Sequence, residues 1–353
     1  MDSLTFSYSS DGSVLVCSDG PELFAYYGGD GSPAWSVFLE RPLVDLAIVG
    51  QEVLGLDDRG TLTSWNAQDG GVAWTSELGQ TTGRLAVSPS RSIAVSDGAA
   101  LRVFRGDGST AVLEAGGVTA FGWCGEEVLI GTSRGTVEAQ AGSGWKVLGA
   151  LTGPVRELCA AGPGRWAAGG DGDIAVGALA GEATAFVAKV AGCQHLTVSQ
   201  DGGVMAVHTG SGNVSILDGY RGDLAGHVRV KRPVAGVTFG PERLLGVGLD
   251  DGDASQVDMG SSEVTHTIAH PGRAKSAWHV TVQLQGAVLR GAKAMHVTKG
   301  ASVATYTGVR PEEEKPSRFR WWMGLLGLLL LIGVGGTVML VVSAVVLWMR
   351  GLA

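Results

Sequence analysis

Two groups of side chains in the sequence could bind a metal ion. Asp250, Asp251 and Asp253 form the densest acidic cluster, and carboxylates at this spacing can coordinate calcium. The cluster falls at a predicted turn, however, and no glutamate follows at the spacing that closes a calcium loop. His266 and His270 would share one face of a helix, but they fall in a predicted strand and turn. We therefore predict no metal site.

No other residue pattern predicts catalysis or cofactor binding. The sequence has no Gly-x-Ser-x-Gly motif, and glycine-rich stretches such as 169–172 lack the lysine and the following helix of a phosphate-binding loop. The cysteines form no Cys-x-x-Cys pair, so we interpret them as small core residues in a reducing compartment: Cys17, Cys124, Cys159 and Cys193. We predict that the protein is not an enzyme and uses no cofactor.

One surface feature could bind a partner. Arg229 and Lys231 alternate along a predicted strand at 227–230, so they share one face, and Arg232 follows directly. Such a basic stripe can protect an edge strand against aggregation. It can also dock an acidic partner or lipid headgroups, and the sequence leaves both interpretations open.

Composition indicates a fold of short strands and tight turns. The chain has 353 residues, of which 57 are glycine and 17% are charged. Glycine destabilises helix interiors by roughly 1 kcal/mol per position, so this content argues against a helical protein. Residues 1–309 hold 21 basic and 31 acidic side chains, a net charge of −10. Nucleic-acid binding needs clustered basic residues, so we predict none.

A repeat of about 39 residues organises the chain. Its landmark glycines are spaced by 40, 38, 37, 37, 40 and 40 residues: Gly20, Gly60, Gly98, Gly135, Gly172, Gly212 and Gly252. One more step of 40 reaches Ala292, which marks a degenerate eighth unit. Each landmark lies between two short apolar runs, and a further run precedes and often follows the pair. Four antiparallel strands per 40-residue repeat are typical of a propeller blade.

The predicted fold is therefore an all-β β-propeller of about eight four-stranded blades. Seven blades remain possible if the last unit, at 278–308, does not complete a sheet. A single blade cannot bury both faces of its sheet, so blades must stack radially until the ring closes.

The second repeat carries a family resemblance. Its sequence at 58–74, DRGTLTSWNAQDGGVAW, has a turn glycine at Gly60, a strand ending near Trp65, an Asp-Gly hairpin at 69–70, and then Trp74. This pattern resembles the repeat of quinoprotein-type (PQQ-like) propellers, and 29–35 repeats part of it. Members of that family with dehydrogenase activity use a vicinal disulfide and calcium, whereas no two cysteines are adjacent here.

Other repeats are more similar to WD repeats. The unit at 196–218 is one example, although the Trp-Asp dipeptide of that family is absent throughout the chain. The combined resemblance covers 4 to about 307 and implies a fold, not an activity.

The C-terminal part of the chain is predicted to cross a membrane. Residues 321–349 contain no charge, and about 20 apolar residues span the hydrocarbon core as a helix. Interfacial side chains flank the span: Trp321, Trp322, Trp348, Lys315, Arg318, Arg320 and Arg350. We divide the chain into a propeller (1–308), a charged linker (309–320), a transmembrane helix (321–349) and a short tail (350–353).

Charge around the span predicts its orientation. Three basic residues precede the helix and only Arg350 follows it, so the positive-inside rule places the propeller in the cytoplasm. The N-terminus shows no secretory signal, which agrees with a tail-anchored, single-pass protein.

These features favour a noncatalytic interaction scaffold or regulatory platform at the cytosolic face of a membrane. Its predicted partners are unidentified, membrane-associated proteins and the lipid bilayer, which residues 321–349 would contact. Two alternatives remain. One is an envelope-assembly propeller, which would require export. The other is a sensor or enzyme that uses a small-ligand site on the propeller face.

Overall fold

The computed structural model describes eleven parts of the chain: 5–9, 11–79, 83–96, 100–142, 144–180, 186–190, 192–210, 212–250, 253–268, 278–284 and 302–308. The chain divides into two units, 1–309 and 310–353, and all described residues belong to the first.

The described residues form β-strands and one short 3-10 helix at Pro241–Arg243. The strands of the first half are β1 (Thr5–Tyr8), β2 (Val14–Asp19), β3 (Glu22–Tyr27), β4 (Pro33–Phe38), β5 (Leu43–Val49), β6 (Glu52–Asp57), β7 (Thr61–Asn66), β8 (Val72–Glu77), β9 (Leu85–Val87), β10 (Ile93–Ser96), β11 (Ala100–Phe104), β12 (Thr110–Glu114), β13 (Val118–Cys124), β14 (Glu127–Thr132), β15 (Thr136–Ala141) and β16 (Gly144–Ala150). Those of the second half are β17 (Val155–Ala160), β18 (Arg165–Gly170), β19 (Asp173–Ala178), β20 (Phe186–Lys189), β21 (His195–Val198), β22 (Val204–His208), β23 (Asn213–Asp218), β24 (Leu224–Val230), β25 (Val234–Phe239), β26 (Leu244–Leu249), β27 (Ala254–Asp258), β28 (Glu263–Ile268), β29 (Trp278–Leu284) and β30 (Ser302–Gly308).

These strands build a β-propeller of seven blades. Strands β1 to β28 group into seven consecutive antiparallel quartets, from β1–β4 to β25–β28. The first strand of each quartet contacts the first strand of the next, and β25 contacts β1. The first strands are therefore innermost and surround a central channel, and the fourth strands lie at the outer rim.

The described strands of the last repeat extend the sheet of blade six. Strands β29 and β30 pair with each other, and β29 pairs with β24, the outer strand of the sixth blade. That sheet consequently has six strands. The structure therefore supports the seven-blade option, and the described residues do not confirm the eight-blade interpretation. The physical reason is that the last repeat supplies only one hairpin in the described residues, and its strands pair with a sheet edge that already exists.

Apolar residues between neighbouring blades form the core. The described residues contain seven buried clusters, one at each junction, including the junction of blade seven with blade one. Each blade buries both sheet faces against its neighbours, which explains why its second strand is almost entirely buried, as in Val14–Asp19 and Glu52–Asp57.

The landmark glycines lie where the repeat predicted them. Gly20, Gly60, Gly135, Gly172 and Gly212 lie in the turn between the second and third strands of their blades. The φ angles of Gly60 and Gly135 are +82° and +87°, a region that side chains with a Cβ rarely adopt. The remaining two, at positions 98 and 252, lie outside the described residues.

A second turn contacts the preceding blade in blades one, two and six. In these three blades the turn between the third and fourth strands carries a glycine with positive φ (Gly31, Gly70 and Gly222), and the outer strand of the preceding blade packs on it. The Trp35 ring lies 2.8 Å from where a Cβ on Gly70 would be, and the Phe186 ring lies 2.5 Å from that position on Gly222. Glycine is required there both for its backbone angle and for the space.

The ring closes through the same contact. The Ile268 side chain of blade seven lies 3.3 Å from the Cβ position of Gly31 in blade one, and His266 Nε2 donates a hydrogen bond to the Gly29 carbonyl at 2.8 Å. Blades one and seven share no strand in the described residues. Packing of side chains therefore holds this junction together, and the cluster consists of Tyr8, Leu15, Cys17, Phe24, Tyr26, Ala254 and Ile268.

Candidate functional site: the charged mouth of the central channel

A central channel lies inside the ring of innermost strands. Its volume is about 1070 Å³, and residues of all seven innermost strands line it. Charged and titratable side chains gather at the end where these strands begin. We call this set the charged mouth, and it consists of Asp19, Asp45, Arg84, Glu157, His195 and Asp250.

Backbone bulges recur at the start of the innermost strands. In β5, β13, β17 and β25 the register shifts by one residue within the first three positions. The residue directly after the bulge is Asp45 in blade two and Glu157 in blade five. A bulge redirects the side chains that follow it, which is how an apolar inner strand can present a carboxylate to the channel.

Asp45 connects blade two with blade three. Its Oδ1 accepts a hydrogen bond from the Leu46 amide at 2.8 Å, and its Oδ2 accepts one from the Leu85 amide at 2.7 Å. The Asp45 side chain is half-buried and lines the channel. Burial raises its pKa to about 6, although the two amide bonds and the nearby Arg84 charge oppose that shift.

Arg84 spans the channel from blade three to blade five. Its Nη2 donates to Glu157 Oε1 at 3.2 Å, and its Nη1 donates to the Arg156 carbonyl at 3.1 Å. Burial raises the pKa of Glu157; the Arg84 charge opposes that effect, and the Asp45 charge adds to it. One guanidinium thus lies close to two carboxylates from two different blades.

His195 contributes a neutral ring to the mouth. It stacks on His208 with a centroid separation of 5.8 Å and an interplanar angle of 10°. Burial, together with smaller contributions from the neighbouring His208 and Arg84, lowers the pKa of His195 to about 4. His208 Nε2 accepts a hydrogen bond from the Gly210 amide at 3.1 Å. Both imidazoles are therefore uncharged at neutral pH.

A smaller cavity of about 500 Å³ shares Arg84 and Glu157 with the channel. It is lined mainly by blades five and six, where the Arg156 Nη2 donates to Asp171 Oδ2 at 3.0 Å. The mouth therefore widens on this side into a polar recess.

The three residues of the predicted basic stripe have different environments in the structure. Arg229 and Lys231 are exposed, whereas Arg232 Nη1 lies 3.3 Å from Oδ2 of the buried Asp253 in blade seven. Arg232 thus connects two blades. Arg229 also lies opposite Thr281 of β29, so β24 is an interior strand and its charges do not protect a sheet edge. Docking at these residues stays a prediction.

The two candidate metal-binding groups do not converge in the described residues. Asp253 faces Arg232, while Asp250 lines the channel. His266 contacts the Gly29 carbonyl. Asp251 and His270 lie outside the described residues. Within the described part of the chain, no three His, Cys, Asp or Glu side chains are grouped so that they could hold a metal ion.

The cysteines are free thiols inside the ring. Cys17, Cys124 and Cys193 are buried, and Cys159 is half-buried beside the channel. Burial raises the pKa of Cys17 and Cys193 to about 12 and that of Cys124 to about 11. Thiols with such values carry almost no thiolate at neutral pH, which fits their interpretation as small core residues.

Sequence reasoning missed Asp45, Arg84 and Glu157. One signal could have found them, because each is a charge within or directly beside an apolar innermost strand. Asp45 interrupts the run Leu-Val-Asp-Leu-Ala-Ile-Val of β5. A charge inside an otherwise buried strand usually has a partner or a function.

The predicted membrane-interface residues, from Lys315 to Arg350, lie outside the described residues, as does the predicted span at 321–349. Among the residues that the structure describes, no helix is both long and apolar enough to cross a bilayer.

Comparison with known proteins agrees with this architecture. Residues 3–139 match the PQQ_2 family, described as "Outer membrane protein assembly factor BamB". No curated protein matches the chain. Similar solved structures include U3-55K and the WD40 repeats of RRP9. Each has 13% identity and a TM-score of 0.61, and each match covers 70% of this chain. The match covers 88% of the U3-55K chain and 87% of the RRP9 chain.

A third similar structure is the β-propeller domain of Cps50 (Swd1) from Myceliophteria thermophila. It has 12% identity and a TM-score of 0.60, with 71% of this chain and 94% of that chain covered. The resemblance seen in the repeats is thereby confirmed: the chain forms a PQQ-like and WD-repeat-like β-propeller. At these identities the solved structures show the fold alone.

Proposed function

We propose that the protein is a noncatalytic interaction platform held at the cytoplasmic face of a membrane. In this proposal the seven-bladed ring binds partner proteins. The apolar segment 321–349 crosses the bilayer and anchors the ring there. The ring provides the binding surface, and the anchor restricts binding to partners at the membrane.

The observation that carries this proposal is the exposed outer rim of the ring. Strand β8 is exposed along its whole length, on both faces. The fourth strands of six blades each present at least one exposed large apolar side chain: Phe38, Val72, Trp74, Val112, Val147, Val187 and Leu224. Aromatic and aliphatic residues on a rigid exterior provide anchors that protein interfaces bury.

Sequence features support the anchor. The 29 residues from 321 to 349 lack charge, and tryptophans mark both ends. Lys315, Arg318 and Arg320 precede the segment, so the positive-inside rule favours a cytoplasmic ring.

A second candidate is a propeller that assists assembly of envelope proteins. The match of residues 3–139 to the family described as an outer membrane protein assembly factor favours it. It requires the ring to lie on the opposite side of the membrane, so topology separates the two candidates.

A topology experiment tests both proposals. We expect the full chain to sediment with membranes and resist alkaline extraction, while a version ending at Val309 stays soluble. Protease added outside intact cells should leave the ring intact under the platform proposal. Cleavage of the ring from outside would favour envelope assembly, and release of the full chain by alkali would contradict the anchor.

A further inference from the structure

Two tryptophans in equivalent positions of the outer rim have different surroundings. In blade one, the Trp35 indole Nε1 donates a hydrogen bond to the Ala67 carbonyl of blade two at 2.8 Å, and the Trp35 ring lies 2.8 Å from the Cβ position of Gly70. Trp74 follows 39 residues later, in the outer strand of blade two. Each tryptophan pairs with the third strand of its blade directly beside a register shift, so the two positions correspond.

The turn of blade three does not reach Trp74 as the turn of blade two reaches Trp35. In blade two a main-chain hydrogen bond between residues 66 and 71 closes the turn, whereas in blade three the bond joins residues 105 and 109. The turn of blade three is therefore one residue shorter. Among the described residues, only chain neighbours lie within 4 Å of the Cβ position of its Gly108. Trp74 is accordingly 37% exposed.

Trp74 nevertheless faces blade three. It lies opposite Ser64, which is two positions along β7 from Leu62, and residues two apart on a strand share a face. Leu62 belongs to the buried cluster between blades two and three. Ser76, opposite Leu62, faces the same way. The side chains of β8 on this face therefore point across the junction.

Blade three supplies the opposite wall. Phe104 packs on the same buried cluster, and Arg102 Nη1 donates a hydrogen bond to the Leu78 carbonyl of blade two at 2.7 Å. Val112 lies opposite Arg102 on the outer strand, so it faces blade two, and it is 63% exposed. A cleft thus remains between the outer parts of the two blades. We call it the rim cleft, and its walls are Trp74, Ser76, Arg102, Phe104 and Val112.

The contact of Trp35 shows which group would fill the rim cleft. That tryptophan packs on a glycine with a φ of +71° and donates its indole hydrogen to a main-chain carbonyl of the same turn. In the described part of the chain, the Trp74 indole has no counterpart of that bond. Tryptophan N–H groups usually gain an acceptor when an interface covers them. A glycine-containing turn from another protein would supply both the acceptor and the space.

From this comparison we propose that the rim cleft binds a glycine-containing turn of a partner protein. The partner's turn takes the place against Trp74 that the turn 66–71 takes against Trp35, and it covers Val112. Tryptophans in such clefts are frequent energetic centres of protein interfaces. The inference rests on the platform proposal, because it assigns a binding site on the rim, but it does not depend on the anchor.

Fluorine NMR of the full chain in detergent tests the site, with fluorotryptophan at its ten tryptophan positions. The probe is a cyclic peptide that holds the sequence of 66–71, Asn-Ala-Gln-Asp-Gly-Gly, as a turn. Trp74→Phe and Trp35→Phe assign the two signals. We expect the peptide to shift the Trp74 signal with a dissociation constant of about 1 mM or below. The Trp35 signal should not move, because the chain's own turn fills that site.

Two changes test the chemistry of the contact. A peptide with valine in place of its first glycine should bind about tenfold more weakly, because a β-branched residue disfavours the positive φ. Replacing 105–109 of the protein by the sequence of 66–71 lengthens the turn by one residue. This graft should fill the cleft, keep Trp74 and weaken peptide binding about tenfold.

A milder variant keeps the test decisive where the grafted chain fails to fold. Val112→Ser should weaken peptide binding about threefold, whereas Glu77→Gln, on the opposite face of β8, should leave it unchanged. The site is wrong where the Trp74 signal shows no saturable shift, where both tryptophan signals shift equally, or where Val112→Ser and Glu77→Gln act alike. Equal binding of the valine peptide would overturn the glycine turn.

A further control concerns the source of the turn. A shift of the Trp74 signal with protein concentration alone, without peptide, would identify a second copy of this chain as the occupant and overturn the partner. Membrane sedimentation and protease protection do not involve the rim cleft. Failure of the peptide to bind would therefore remove this site, whereas failure of the anchor or of the topology is measured separately.

Discussion

At the scale of single residues, Asp45 is a charged side chain that connects two blades of the ring. It interrupts an apolar innermost strand, yet its two oxygens take up amide hydrogens from blades two and three. Desolvation outweighs these bonds and the Arg84 charge, so its pKa is raised to about 6. The carboxylate fixes local geometry, but its ionised form is disfavoured.

The raised pKa predicts how stability depends on pH. A carboxyl whose folded pKa is about 6 lies above its unfolded value near 3.9, so the folded state binds the proton more tightly. Stability from Asp45 is therefore fully present below pH 4 and is lost as pH rises through 6. Glu157, whose pKa is also raised, contributes in the same direction.

Asp45→Asn tests this dependence. The variant should show a flatter decline of the free energy of unfolding between pH 4 and 6 than the parent chain, measured by denaturant titration of the full-length protein. Only the slope is compared, since the amide replaces one acceptor with a donor. Glu77→Gln, which removes an exposed carboxylate from β8, serves as the control. Equal slopes for Asp45→Asn and the parent would contradict the assignment.

At the scale of elements, the turn between the third and fourth strands contacts the preceding blade in blades one, two and six, and we expect this contact to help set the spacing of those blades. Its glycine combines a positive φ with a side chain of the preceding blade packed on it, as at Gly31, Gly70 and Gly222. The Asp-Gly pattern at 69–70 predicted a tight turn, and this is confirmed. The contact with Trp35 of the preceding blade was not predictable, because it joins residues of different repeats.

Two alanine substitutions separate the backbone requirement from the packing requirement. Gly108 and Gly222 lie in equivalent turns with φ of +82° and +73°, but only Gly222 has a close neighbour, the Phe186 ring. Gly108→Ala should lower the free energy of unfolding by about 1 kcal/mol. Gly222→Ala should lower it by about 2–4 kcal/mol, because overpacking adds to the backbone strain.

Denaturant titration of both variants measures the difference. Similar losses for the two variants would mean that the blade moves aside and that the turn does not set the spacing.

At the scale of the whole molecule, the ring depends on a junction that the chain does not cross. The chain passes directly from each blade to the next, but after blade seven it continues to β29 on blade six. Blades one and seven meet through the contact of Ile268 with Gly31, the hydrogen bond of His266, and their shared apolar cluster. In the described part of the chain, no loop joins these two blades directly, so nothing there keeps them close when their packing fails.

Ile268→Ala should therefore open the ring locally. The buried Ile268 side chain is 2% exposed, and its truncation should lower the free energy of unfolding by about 2–4 kcal/mol. Hydrogen exchange should accelerate first in blades one and seven. Ile174→Ala, at the covalently connected junction of blades five and six, is the matched control and should not produce this pattern. Uniform acceleration in both variants would show that the junctions are equivalent.

The local features of this fold could be predicted from the amino-acid sequence. The strand runs, the turn glycines and the repeat of about 39 residues follow from propensities and periodicity within one blade, so strands such as β5 to β8 could be predicted. The blade number could not be decided, because a degenerate repeat at 278–308 can pair with any free sheet edge. Only tertiary structure assigned that hairpin to β24.

The charged mouth was also decided by the tertiary structure alone. Asp45, Arg84 and Glu157 are 39 and 73 residues apart along the chain, and no spacing rule relates them. Ring closure brings the starts of the innermost strands together, and the bulges turn two carboxylates toward Arg84. Sequence patterns report the contacts within a repeat, whereas a site on the axis of a ring is made of contacts between repeats.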